Sequence, residues 1–301
     1  MNMRTNKIKS MTAFEAVVIY GLIAVFVVMV VLPFIVLVCS SFSSSDVIRA
    51  NGARPWVQNF STDAYEMVFV YPDEMFMSYV VSIIVTVGGT ALNMFLCLTA
   101  AFAVSRPNFR ARNGVQLFYT FTIMFQAGFV PNYIWFSERY LNILNTYWVL
   151  IVSPAFMVGH MVLLRAFFSS LPAELYEAVK IDGASEITIF AKIALPLISP
   201  GIATACFYSV LAYWNDSFSS LLYTDDLVPV SLYLTRVTNY IEFLKYAQES
   251  GFTGIDLGNL EIPEDTLVYA IALVTTAPML CIFAVFQKYF VRGLTSGAVK
   301  G

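Results

Sequence analysis

Six stretches of this chain contain no Asp, Glu, Lys or Arg: residues 16–45, 75–105, 113–137, 140–164, 193–215 and 266–287. Each exceeds the ~20 residues that carry an α-helix across the hydrocarbon of a bilayer. Backbone amides in lipid have to be satisfied internally, and runs this long without period-two alternation suit helices rather than barrel strands. We therefore expect an all-α, polytopic membrane protein with spans at about 14–40, 76–104, 114–136, 141–164, 193–215 and 267–288. Composition agrees, with 58% hydrophobic and 12% charged residues and a mean hydropathy of +0.72, far from a soluble domain. Six spans in 301 residues leave one transmembrane domain over 1–301, so an ATPase or ligand-capturing module belongs on another polypeptide.

The charges sort the loops. Arg4, Lys7 and Lys9 precede the first span; Arg106, Arg110 and Arg112 follow the second; Arg165, Lys180 and Lys192 follow the fourth; Lys288, Arg292 and Lys300 follow the sixth. The positive-inside rule then places both termini in the cytoplasm. The last external loop carries acids such as Asp216, Asp225, Asp226 and Glu242 and reads as solvated; with residues 41–74 it is also a candidate docking rim for an extracytoplasmic partner. The N-terminal apolar run is too long for a signal peptide and lacks its small-residue cleavage pattern, so we expect a retained anchor helix. Pro33, Pro131, Pro154, Pro196, Pro200 and Pro278 lie in or beside spans and predict kinks.

Between the fourth and fifth spans lies a cytoplasmic segment, 171–196, that is not a run of random polar residues. Ser169 or Ser170 is placed to cap a helix, Pro172 suits a first turn, and Glu174 and Glu177 oppose the positive end of the macrodipole. We expect a short helix at about 172–183. Leu175, Ala178, Val179 and Asp182 follow the spacing that makes one face, and Gly183 permits the left-handed backbone that ends a helix.

Glu177-Ala178-Val179, Gly183, Ile193 and Leu195-Pro196 stand at the spacings of a cytoplasmic pattern shared by the permeases of ABC importers: Glu-Ala-Ala, three residues, Gly, nine residues, Ile, one residue, Leu-Pro. The chain resembles that family, departing from the pattern only by Val179 in place of the second alanine. In the family this helix docks in a cleft of the ATPase subunit, so the resemblance implies an ATPase-coupling role for Glu177, Ala178, Val179, Asp182, Gly183, Leu195 and Pro196. It implies no catalytic residue and no enzyme.

Leu171-Pro172, Ile181-Asp182-Gly183-Ala184, Trp214-Asn215 and the closing stretch from Gly293 are similar to the carbohydrate-uptake, maltose-transporter type branch. Ser40-Ser41-Phe42-Ser43-Ser44 and Phe125-Gln126-Ala127-Gly128 resemble Gram-positive polysaccharide and oligosaccharide permeases. The resemblance implies a bacterial cytoplasmic membrane, a second permease subunit, two cytoplasmic ATPase subunits and an extracytoplasmic solute-binding lipoprotein. The substrate it implies is a carbohydrate. ATP and Mg are expected on the ATPases: the chain has no GxxxxGK[ST] phosphate loop, and we expect no cofactor, metal or nucleic acid bound by it. The basic tail at 292–301 emerges beside the coupling helix and reads either as a frayed terminus or as an ATPase contact.

Polar side chains within spans need partners or a cavity, which makes Asn93, Gln126, Asn132, Trp214 and Asn215 candidates for a sugar path as well as for helix glue. The aromatic rings of Tyr133, Trp135 and Trp148 suit the apolar faces of sugars. His160, the one histidine, sits in an apolar span without acidic neighbours and reads as a hydrogen-bonded core residue, with a pathway role as the alternative. Cys39, Cys97, Cys206 and Cys281 show no ligand spacing and read as packing residues. Import of a non-sugar solute shares the coupling motif and is separated only by the branch-level resemblance. A membrane-embedded enzyme would need a convergent acid, base, nucleophile or metal cluster, and the spans supply none.

Overall fold

The computed structural model describes residues 13–69, 72–125, 127–181, 183–249 and 264–298. Among them the regular elements are helices, and the one strand-like pairing is an isolated bridge between Ser43 and Phe60. The chain forms two compact units, Met1–Val70 with Gly251–Val274 and Tyr71–Ser250 with Thr275–Gly301.

In the first unit, α1 (Ala13–Ser41) is apolar on every side, and Val17 to Leu32 are exposed, as suits a helix surrounded by lipid. The loop after it carries α2 (Ser45–Asn51) and α3 (Asp63–Val68). Phe42 stacks on Tyr65 at 4.8 Å and the Ser41 and Tyr65 hydroxyls lie 2.8 Å apart, which pins the loop back on the end of α1.

The second unit is organised by α4 (Pro72–Ser105). Its buried Ser78, Ser82, Gly89, Asn93, Cys97 and Ala101 recur at four- and seven-residue intervals, a stripe of small side chains that lets neighbouring helices approach closely. The chain continues as α5 (Arg112–Met124), α6 (Phe129–Phe136), α7 (Tyr147–Val152) and α8 (Val158–Ser169). Next come α9 (Ala173–Ile181), α10 (Glu186–Thr188), a π-helical stretch (Ile189–Ala194), α11 (Leu195–Leu197) and α12 (Ser199–Trp214). Last are α13 (Phe218–Tyr223), α14 (Val230–Glu249) and α15 (Glu264–Ala298).

Two cores sit against α4. One gathers Cys97, Ala101, Met161, Leu164, Phe168 and Ile189; the other gathers Val81, Val85, Val149, Leu150, Tyr213 and Tyr223. A Cβ at Gly89 would overlap the ring of Tyr213, whose hydroxyl donates to the Ile151 carbonyl at 3.0 Å. The glycine is therefore a close-approach site between α4 and α12.

Among the described residues Phe14–Ser41, Pro72–Ser105 and Thr266–Tyr289 are long and apolar enough to cross a membrane, and Glu186–Leu197 with Ser199–Trp214, bent by 82°, forms a broken span or a re-entrant loop. The expected continuous spans at 114–136 and 141–164 are instead interrupted. Gly128, at φ +83, starts α6 after a break from α5, and Pro154 lies in the break between α7 and α8. Pro33 and Pro278 lie inside continuous helices.

The fifth charge-free run is not one straight helix: residues 193–197 lie before the bend, and α12, 16 residues long, begins at Ser199. Pro196 has no N–H to offer the preceding turn, which widens into the π-helical stretch before the bend. The expected solvated loop after the fifth span contains α14, tied to α4 by the Val230 amide donating to Ser82 Oγ at 2.8 Å. Its low hydropathy hid it, although Val230, Leu232 and Ile241 are buried.

Candidate functional site

The segment 171–196 folds as a capped helix followed by an elbow. Helix α9 ends with the Gly183 N–H on the Lys180 carbonyl at 3.0 Å and the Ala184 N–H on the Val179 carbonyl at 3.2 Å. That pair of bonds is the Schellman arrangement, and Gly183 takes the left-handed backbone it needs, φ +81. The expected start differs. Ser170 Oγ donates back to the Phe167 carbonyl at 2.8 Å and belongs to the end of α8, so Pro172 directly precedes the helix with no serine cap. A cap that the sequence reading missed begins the next element: Ser185 Oγ accepts the Thr188 N–H at 3.2 Å.

The roll of α9 is set by Tyr176. Its ring is buried, 8% exposed, in the core under α4 and α8, with Leu171, Val179 and Ala184 packed around the same cluster. The anticipated face of Leu175, Ala178, Val179 and Asp182 is thus divided. Leu175 and Val179 are half-buried toward the spans, whereas Glu177 and Ala178 are exposed. Asp182 lies outside the described residues. Ile181 and Ile187, which sequence reasoning passed over, are 87% and 79% exposed and flank the glycine turn on the open side. Isoleucines beside a glycine in a segment otherwise rich in charge were the available signal. Leu195 and Pro196 form the short α11 just before the bend.

Arg106, directly after α4, holds this segment together. Its guanidinium lies 3.9 Å over the Tyr176 ring and 5.5 Å over Phe102, and its Nε is 3.6 Å from Glu186. Lys180 of α9 meets the same carboxylate at 2.6 Å. One arginine therefore joins the end of α4 to both limbs of the elbow. Burial pushes the Tyr176 phenol up from its ordinary value, with the nearby Arg106 charge opposing, so it remains neutral.

The path candidates separate. Asn93 is fully buried, its Nδ2 donating to the Ala155 carbonyl and its Oδ1 accepting from His160 Nδ1, both at 3.0 Å. Both ends of the amide are used, and Asn93 and His160 bind α4 to α8 and the turn before it. Asn132 lines an open groove of about 870 Å³ with Tyr119, Phe129 and Phe156. Gln126 lies outside the described residues. Tyr133, Trp135 and Trp148 are largely exposed.

Trp214 and Asn215 come together in a cavity of about 380 Å³ between α12, α14 and α15, joined by Ser217, Ser231, Thr235 and Thr276. The Trp214 indole N–H donates to the Thr275 carbonyl at 3.2 Å, fixing the ring. Across α14 lies a wider cavity of about 940 Å³, with Asp73, Glu74, Asp225, Asp226 and Arg236 among its lining. Asn145 braces that rim, donating to the Asp225 carboxylate at 3.2 Å and accepting the Asp225 N–H at 2.7 Å. Burial and the Glu74 charge push the Tyr233 phenol on its wall upward, which keeps it neutral. Among the described residues no group of His, Cys, Asp and Glu is arranged to hold a metal ion, and the four cysteines are free.

The described elements are a helical bundle with apolar helices of membrane length and a glycine-capped elbow between α8 and α12. Residues 17–296 match the family of binding-protein-dependent transport system inner membrane components, and the chain belongs to that family. It is 32% identical to the polygalacturonan/rhamnogalacturonan transport system permease YtcP of Bacillus subtilis, over 94% of this chain and 97% of that one. It is 31% identical to the trehalose/maltose transport system permease MalG of Thermococcus litoralis, over 89% of this chain and 91% of that one. Its fold matches a crystal structure of a bacterial ABC transporter involved in import of the acidic polysaccharide alginate, with a TM-score of 0.77 over 96% of this chain and 99% of that chain at 23% identity. The chain is accordingly a multi-pass membrane permease subunit of an ABC importer. Such a subunit works with a second permease, an ATPase and a solute-binding protein.

Proposed function

We propose that this chain is one of two unlike permeases forming the translocation path for an oligosaccharide or polysaccharide fragment, with both termini in the cytoplasm. Two cytoplasmic ATPase subunits bind ATP and Mg, and an extracytoplasmic lipoprotein delivers the sugar. The observation that carries the coupling role is the braced elbow. A helix rolled by Tyr176, clamped by Arg106 and capped at Gly183 leaves Glu177, Ala178 and Ile181 open toward the cytoplasm, so a push on that surface reaches the spans through rigid contacts. ATP binding then favours one of two packings of the bundle. The carbohydrate reading is supported by the relatives' substrates, polygalacturonan/rhamnogalacturonan for one and trehalose/maltose for another. The tail at 292–301 is read as a further ATPase contact; its described part continues the backbone of α15 to Ala298.

Uptake of labelled oligosaccharide by cells carrying Gly183→Asp or Glu177→Lys tests the coupling role. Both variants insert in the membrane and lose uptake. Undiminished uptake in both would overturn it.

A further inference from the structure

We infer that the cavity bounded by α12, α14 and α15 binds an uncharged glycosyl unit, and that the saccharide passed by this subunit is neutral. This rests on the saccharide reading above and adds the substrate's charge class and a site. At about 380 Å³ the cavity falls within the range of small-molecule sites, about 300–1,000 Å³. No described residue lining it is charged.

Its polar groups are unspent in the way a hydroxyl-rich ligand needs. Ser231 Oγ is buried without a partner among the described residues, leaving one donor and two acceptor positions open. Asn215 commits its Nδ2 to the Leu211 carbonyl and keeps its Oδ1 for a ligand hydroxyl. Thr235 commits its proton to the Ser231 carbonyl and keeps its lone pairs. Trp214 is held by its indole N–H and adds an aromatic wall for the apolar face of a sugar ring.

A uronate unit would bring a carboxylate into this cavity with no arginine or lysine to meet it, and an unpaired charge there is strongly disfavoured. A second observation points the same way. Among its described lining, the wider cavity on the other face of α14 sets Asp73, Glu74, Asp225 and Asp226 against one cation, Arg236. A polyanion is repelled there, whereas neutral hydroxyls donate to the carboxylates. In the same wall Ser78 is 3% exposed.

The test uses the full complex, this permease with its partner permease, ATPases and solute-binding protein, reconstituted in proteoliposomes. It is offered malto-, manno-, xylo- and galacto-oligosaccharides as a neutral set, and oligogalacturonates and alginate oligomers as an acidic set. The expected result is uptake from the neutral set, lowered about three- to tenfold by Ser231→Ala and by Thr276→Ala at saturating loaded binding protein, as for one lost hydrogen bond each. Size-exclusion profiles check that the variant complexes assemble. Uptake from the acidic set alone overturns neutrality while the saccharide reading stands. Neutral uptake unchanged in both variants overturns the cavity assignment. Uptake of neither set overturns the saccharide reading itself.

Discussion

The guanidinium of Arg106 lies 3.9 Å over the ring of Tyr176, so the first residue after α4 clamps the anchor of α9. A cation–π contact of this kind is worth about 0.5–2 kcal/mol, and Arg106 adds an ionic contact to Glu186. Arg106→Ala is expected to leave ATP hydrolysis running while uptake per ATP falls several-fold. Arg106→Lys keeps the charge but not the planar stacking and lands between the two. The ratio of sugar taken up to phosphate released, measured in proteoliposomes, decides this. A ratio unchanged in Arg106→Ala removes the clamp from the coupling route.

Tyr176 also gives an alkaline signature. Its folded pKa is raised above the ordinary 10.0, chiefly by burial. The folded chain thus holds the phenol proton more tightly than the unfolded chain does. The associated stability is complete below pH 10 and is lost as pH rises through the raised value. Thermal unfolding of the purified complex between neutral pH and pH 11 should fall more steeply for the parent than for Tyr176→Phe. Parallel curves would argue against a buried, neutral phenol.

Gly183→Ala meets no steric obstacle, since a Cβ there has nothing within 4 Å, yet the backbone sits at φ +81. The substitution costs about 1–2 kcal/mol through conformation alone. Asn tolerates the left-handed region better, so Gly183→Asn should retain more uptake than Gly183→Ala. The reverse order in a transport assay would show that size, not backbone, governs this position.

Adjacent glycines in α4 make a sharper comparison. A Cβ at Gly89 overlaps the Tyr213 ring, whereas at Gly88 it lies 3.0 Å from the flexible end of Ile151. Gly89→Ala is expected to destabilise by about 1–3 kcal/mol, with Gly88→Ala milder. Melting temperatures in detergent should rank parent, Gly88→Ala, Gly89→Ala in descending order.

Asn93→Leu removes both bonds of the α4–α8 interlock and leaves the Ala155 carbonyl and His160 without that partner. A loss of about 1–3 kcal/mol follows for each buried group left unpaired. Its signature is a lowered melting temperature with sugar selectivity intact, the opposite of what Ser231→Ala should show. A changed ranking of transported sugars in Asn93→Leu would return this residue to the path.

Much of the molecule was legible because it depends on local chemistry. Charge-free runs mark apolar segments in any context, and the Gly183 stop is a backbone property of one residue type, which is why α9 ends at that glycine although its start differs from the expected one. The breaks in the third and fourth spans were not legible. Hydropathy does not register a left-handed Gly128, and it cannot say whether Pro154 kinks a helix or separates two. Helix α14 escaped for the same reason, since its burial comes from packing on α4 rather than from its own hydropathy.

By itself, then, the sequence determined that this chain is a membrane protein carrying the motif spacing of the importer permeases, because solvent partition and a fixed motif spacing are written residue by residue. Tertiary structure alone decided which way that helix rolls and which polar side chains are free. Tyr176 turns inward because Arg106, seventy residues away in the chain, lies above it. Asn93 is consumed by partners more than sixty positions distant, while Trp214 and Asn215 share a cavity with Ser231 and Thr276. Long-range packing brings those groups together, and no local pattern records it.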